Sequence, residues 1–208
     1  MQTQRPDFSL EHSLSGPVAG IDEAGRGPLA GPVVAGCVIL PGGATWLAGL
    51  HDSKQLTAAR REQLFACIVA DAPHGIGEAS PEEIDTLNIH HATLLAMQRA
   101  FAAMTVRCGA VTCGHVLVDG RFTPSLPRPA TAVVKGDSRS LSIAAASILA
   151  KVHRDRLMQE FHRQHPVYGW DRNAGYPTAG HLAALQAHGA TILHRRSFAP
   201  VKAILAEV

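Results

Sequence analysis

No two cysteines in this chain are spaced as Cys-x-x-Cys. The four present (Cys37, Cys67, Cys108 and Cys113) form no framework of the kind that staples small secreted domains. Reduced thiols are expected. Cys108, Cys113 and His115 lie near one another, but their spacing matches no common zinc site. The opening MQTQRPDFSLEHSLSGP lacks the basic start and long apolar core of a signal peptide. No apolar run reaches the length of about 20 residues that spans a bilayer. A cytoplasmic protein with no membrane association is the expectation. Low-complexity tracts and internal repeats are missing as well. So is a charge of one sign: 19 Lys and Arg against 17 Asp and Glu leave only +2 with histidine neutral. That balance permits a basic face for a polyanion without requiring one.

What is there can build a core. The chain has 208 residues, 46% of them hydrophobic and 17% charged, which suits one domain over 16–208 behind a tail at 1–15. A monomer is the default. VAGIDEAG and PVVAGCVIL are β-rich runs joined by a Gly/Pro segment and predict an antiparallel pair. Thr57 is placed to cap a helix that carries Leu64 and Ile68. HGIGEAS predicts a short strand. Ser80, Pro81 and Glu83 form the signature of a capped helix start, ahead of one broken helix or two consecutive ones. HVLVDG reads as a strand buried on both faces and TAVVKGD as a further strand, each ending in an acid. A long helix follows, with Leu141, Ala145, Ile148 and Val152 on one apolar stripe. A last helix is predicted over about Thr178 to His188, ahead of the closing RRSFAPVKAILAEV. Strands interleaved with helices predict an α/β fold with a mixed sheet: a catalytic core over 16–165 and a helical part over 166–208.

Asp22, Asp119 and Asp137 fall at or near the carboxyl ends of predicted strands, where open α/β sheets build their sites. Taken singly, Asp119-Gly120 reads as a turn opener and Asp137 as a helix cap. Asp22 and Glu23 resist such a reading, because both flanks are apolar and no counter-charge precedes Arg26. If the four carboxylates converge, their repulsion reaches about 4 kcal/mol per pair at 4 Å and an effective dielectric of 20. That cost calls for a cation. Hard oxygen donors select Mg²⁺ or Mn²⁺ over zinc, and two such ions are the apparatus of phosphodiester cleavage. Neighbouring strand residues point to opposite faces, so a bulge or bend near Gly25 and Gly27 is expected to bring Glu23 round beside Asp22.

GIDEAGRGPLAGPVVAG resembles the signature of the ribonuclease HII family. DSKQLT, LNI, VLVDG, VVKGD, SIAAASILAKVHRD, GYPT with His181, and RRSF follow in the family's order, so the resemblance covers most of the chain from Gly16 to Phe198. The segment before the first strand is far shorter than a domain, which favours type HII over type HIII. The resemblance implies a ribonuclease H-like five-stranded mixed sheet flanked by helices, with a C-terminal helical part. It implies that Asp22, Glu23, Asp119 and Asp137 bind two divalent ions, Mg²⁺ or Mn²⁺. The implied partners are nucleic acids, namely RNA–DNA hybrids and duplex DNA containing single ribonucleotides. Cleavage is expected 5′ to the ribonucleotide, leaving 3′-hydroxyl and 5′-phosphate ends.

Glycine lets a backbone approach a sugar closely, so Gly25-Arg26-Gly27 is expected to contact the 2′-hydroxyl, with Arg26 on a phosphate. Tyr176 matches the family's tyrosine, which stacks on the following sugar. Lys54, Lys135 and Arg196 are candidate phosphate contacts. Arg195, Lys151, Arg154 and Arg156 read as solvated cations. Ser142, Ala144, Ala145, Ala146 and Ser147 read as a close-packing surface. His181 either supports the Tyr176 loop or acts near the metals. Two alternatives stand beside this reading: another ribonuclease H-like nuclease, and a non-catalytic hybrid-binding protein.

Overall fold

A computed structural model of the protein describes residues 5–108 and 112–206. The outermost residues of the expected tail and of the C-terminal part lie outside that range. Five strands, β1 (Val18–Ala24), β2 (Val33–Ile39), β3 (His74–Ala79), β4 (His115–Asp119) and β5 (Ala130–Val133), form one sheet in the order β3-β2-β1-β4-β5. β1, β2 and β3 pair antiparallel, while β1, β4 and β5 pair parallel. The expected mixed five-stranded sheet is present. The helices are α1 (Ser9–His12), α2 (Ala58–Asp71), α3 (Pro81–Arg107), α4 (Leu141–Gln164), α5 (Trp170–Asn173), α6 (Ala179–His188) and α7 (Ala199–Ala206).

The strand period of two divides the core into layers. Val33, Ala35, Cys37 and Ile39 of β2 face α3, where they meet Ile84, Ala96, Ala100 and Met104. Val38 faces the other way, into a cluster of Leu64 and Ile68 from α2 with Ala145, Ile148 and Val152 from α4. The predicted α4 stripe therefore lies in the core, where full burial of an aliphatic side chain stabilises by about 1.5–3 kcal/mol. Its small residues allow α4 to ride directly on the sheet. A Cβ at Gly20 would stand 2.1 Å from the Ser142 carbonyl carbon, and one at Gly36 would stand 2.5 Å from the Ala146 oxygen. A third cluster joins Leu29 and Ala30 to Met158, Tyr168, Trp170, Leu185 and Val201, anchoring the C-terminal helices beside the carboxyl end of β1.

The predicted caps are present. Thr57 Oγ1 accepts from Arg60 N (3.2 Å), and Ser80 and Glu83 exchange bonds of 3.1 and 2.9 Å in a capping box. α3 is one helix broken at Asn88 (φ 67°), whose Oδ1 recaps the second half through His90 N and His91 N. Within the segment read as a tail, Glu11 is buried and its Oε1 accepts from Ser140 Oγ (2.6 Å) and Ser142 N (2.9 Å) at the start of α4.

One expectation is corrected and another is narrowed. β5 stops at Val133, so Asp137 sits not at a strand end but in a 3-10 turn, Gly136–Ser138, entered through Lys135 at φ 55°. Of the expected bulge or bend after Glu23, the bulge is absent, because the register of β1 with β2 runs unbroken from Ala19↔Ile39 to Ala24↔Val34. The bend is present, with Gly25 at φ 93° and Arg26 and Gly27 in the bend that follows. No described helix is long and apolar enough to cross a membrane.

Candidate active site

The parallel pairing of β1 with β4 ends at Ile21↔Val118, so the next residue on each strand is an acid, Asp22 and Asp119. Strand register alone brings these two carboxylates side by side. Beyond Ile21, β1 has lost its β4 neighbour and Gly25 (φ 93°) turns the chain away, leaving that edge open. Glu23 therefore reaches the same space from a regular pleat. Its side chain is 14% exposed and it lines a cleft with Asp22, Asp119, Gly25, Arg26, Gly27, Lys54 and Tyr176. The cleft measures about 380 Å³.

Each acid already has a partner. Asp22 Oδ1 accepts from Glu23 N (2.7 Å), and Glu23 Oε1 stands 3.3 Å from Arg26 Nη1. Asp119 Oδ1 accepts from Gly136 N (2.6 Å), a bond that pins the 3-10 turn and so brings Asp137 to the site's edge. Asp137 Oδ2 stands 3.9 Å from Lys54 Nζ. Asp137 is not a wall of the cleft, but its charge acts on Asp22.

The electrostatics are those of crowded anions. Burial first, then Glu23, Asp119 and Asp137, push the Asp22 carboxyl well above the usual carboxylate range. Glu23 is raised by burial, with Arg26 opposing, and Asp137 is raised by burial together with Asp52 and Asp119. Burial pulls the Lys54 ammonium down, but Asp137, Asp52, Asp22 and Asp119 prevail and raise it. Among the described residues no three His, Cys, Asp or Glu side chains already surround one point at ligating distance. Glu23, Asp137 and Asp119 are instead held by Arg26, Lys54 and the Gly136 N–H respectively. The donor set is nonetheless all oxygen and over-charged, which fits a hard divalent cation and no soft one.

Two residues read as solvated cations are instead fully buried. Arg195 donates to the carbonyls of Gly25 (2.6 Å), Arg26 (3.0 Å) and Gly31 (2.9 Å). Arg154 donates to those of Ala30 (3.1 Å), Pro32 (3.0 Å) and Ala174 (3.0 Å). Burial, reinforced for Arg195 by the neighbouring Arg154 charge, lowers Arg195 to about 9; burial lowers Arg154 to about 10. Bonds to a charged donor are worth about 1.5–3 kcal/mol each and offset the cost of burying these ions. Lys151 is also corrected, because it lines the cleft while bonded to Asp155 (2.6 Å). Arg156 stays at the surface, paired with Glu62 and stacked over Phe65. Lys135 and Arg196 are exposed and outside the cleft.

Tyr176 projects into the cleft, 46% exposed, while its backbone is tied down. Trp170 Nε1 donates to His181 Nε2 (3.1 Å), so His181 is a neutral imidazole carrying its proton on Nδ1, which donates to the Tyr176 carbonyl (3.0 Å). His181 is thus a support for the tyrosine loop and no wall of the cleft. Burial lowers its pKa, and lowers that of the adjoining His194 to about 4.

Comparison with known proteins places this arrangement. A family model described as Ribonuclease HII matches residues 19–201. The chain is 54% identical over 207 residues to the Ribonuclease HII of Magnetococcus marinus, covering 96% of this chain and 95% of that protein. It is 57% identical over 189 residues to Ribonuclease HII 1 of Methylibium petroleiphilum, covering 90% and 92%. The crystal structure of the ribonuclease H2 from Pyrococcus horikoshii OT3 aligns with a TM-score of 0.71 and 26% identity, over 91% of this chain and 97% of that one.

Proposed function

The chain belongs to the ribonuclease HII family and is a ribonuclease H-type endonuclease; from that membership we propose that it hydrolyses the RNA strand of RNA–DNA hybrids and nicks duplex DNA 5′ to single ribonucleotides. The observation that carries the proposal is one cleft uniting the Asp22–Asp119 pair with Gly25-Arg26-Gly27 and Tyr176. Chemistry and sugar recognition are then neighbours.

In this reading Asp22, Glu23, Asp119 and Asp137 hold two divalent cations, Mg²⁺ or Mn²⁺. When bound, such ions neutralise phosphate charge and supply a nucleophilic water at neutral pH. The chain's own part is positional. Gly25 and Gly27 let the backbone come up to the ribose, where peptide groups meet the 2′-hydroxyl that separates RNA from DNA. Arg26, half exposed, and Lys54 offer cations to the phosphates that flank the cut. The Tyr176 ring supplies a flat face for the adjoining sugar.

Mapping the cut on a duplex with one ribonucleotide tests the proposal. A single nick 5′ to that residue, leaving 3′-hydroxyl and 5′-phosphate ends, is expected with Mg²⁺ or Mn²⁺. None is expected with EDTA, and an all-DNA duplex should survive. Equal cutting of both duplexes would refute the sugar selectivity.

A further inference from the structure

Arg195 and Arg154 come from distant parts of the chain, the segment before α7 and the middle of α4. Their guanidinium groups are buried against backbone carbonyls, and neither has a carboxylate within salt-bridge distance among the described residues. Burying two like charges side by side is costly. A fold that needed only packing would fill the space with apolar side chains.

What the cations hold explains the cost. Arg195 takes the carbonyls of Gly25 and Arg26 together, through Nη2 and Nη1. In a trans peptide the N–H points opposite to the C=O of the same plane, and no cis peptide is present among the described residues. Drawing the Gly25 carbonyl inward turns the Arg26 N–H outward. Drawing in the Arg26 carbonyl turns the Gly27 N–H outward in the same way. Arg26 and Gly27 are exposed and line the cleft, and no described residue accepts a hydrogen bond from either N–H. Arg154 backs the same loop, because the Gly25 Cα lies on its side chain so closely that a Cβ would stand 2.0 Å from Nε. It also ties the carbonyl of Ala174, two residues before Tyr176, to that of Ala30.

Resting on the reading of the cleft given above, we propose that Arg195, backed by Arg154, is a positioning residue that sets sugar selectivity. By holding the carbonyls of Gly25 and Arg26 it aims the N–H groups of Arg26 and Gly27 at the ribose 2′-hydroxyl. The segment that carries Arg195 is itself anchored, since Asp85 accepts from Arg196 N (2.9 Å), Ser197 N (2.8 Å) and Ser197 Oγ (2.6 Å). Selectivity thus depends on Arg195, a residue that lies outside the lining of the cleft.

The test is equilibrium binding in EDTA, read by fluorescence anisotropy on matched duplexes with a ribonucleotide or a deoxynucleotide at one position. The unaltered protein should prefer the ribonucleotide duplex by about tenfold, the worth of one good hydrogen bond. Arg195→Lys keeps the charge but loses the fork. It should reduce the preference to about twofold or less while binding the deoxy duplex as before, and cleavage should fall through KM and kcat together. Asp85→Ala loosens the same segment from the surface and should cause a smaller loss, which keeps the test decisive if Arg195→Lys does not fold. A folded variant that keeps the full preference, or that weakens both duplexes alike, overturns the inference. If the unaltered protein shows no preference, the reading of the cleft fails and takes this inference with it.

Discussion

Gly27 lies so close to Tyr176 that a Cβ on it would stand 3.4 Å from the ring's Cε1. The loop and the ring form two sides of one slot. Gly27 does not require a positive φ, so Gly27→Ala should fold with a stability change within about 0.5 kcal/mol. Its methyl would occupy the slot, and kcat/KM on a single-ribonucleotide duplex should fall on the order of 100-fold, the cost of an ångström of misplacement. Thermal melting and steady-state kinetics on the one variant check both halves.

Gly25→Ala should behave differently. Its φ of 93° and the 2.0 Å approach to Arg154 Nε leave no room for a Cβ. A strained backbone of this kind costs about 1–3 kcal/mol before the clash is added. Denaturant unfolding should show a loss of at least that size.

Removing one of the crowded acids should stabilise the protein while silencing it. Asp22→Asn retains an oxygen for the Glu23 N–H and Asp119→Asn one for the Gly136 N–H, while each deletes a repelling charge. Without divalent cations each variant should gain about 1 kcal/mol, or roughly 2–4 °C in Tm for a chain of this size. Scanning calorimetry in EDTA measures it.

That gain should depend on pH in a definite direction. Burial and its anionic neighbours raise Asp22 in the folded protein, whereas the unfolded chain titrates near the ordinary value of about 3.9. Between the two values the folded state binds more protons, so stability falls as pH rises through that window. The advantage of Asp22→Asn should widen from pH 4 towards neutrality, and Mg²⁺ should narrow it. Melts across that range, with and without Mg²⁺, show whether it does.

Much of this site was legible before any coordinates. The Asp22–Glu23 pair stood out because apolar flanks gave it no counter-charge, and β-rich runs on either side predicted the strands that carry it. Local rules also found the capping box at Ser80 and the break in α3, since caps are written within a few residues. What escaped depends on contacts across the chain. Arg195 looks like any surface cation until Gly25, Arg26 and Gly31 are folded against it, and Arg154 until Ala30, Pro32 and Ala174 are. Of the expected bulge or bend, only the bend at Gly25 is present; the bulge followed from pleat geometry applied to a fully paired strand. β1 instead outruns β4 at Ile21↔Val118, which frees Glu23 without one. Asp137 lies in a turn, because the Gly136 N–H is taken by Asp119.

The central claim is that Asp22 and Asp119, set side by side by strand register, belong to the group that holds the catalytic cations. Single-turnover cleavage of a duplex with one ribonucleotide by Asp22→Asn and by Asp119→Asn tests it most directly. Both folded variants should bind the duplex yet cut it at least about 1,000-fold more slowly, a loss of some 4 kcal/mol of barrier lowering. Cleavage by either variant within tenfold of the unaltered protein would contradict the account.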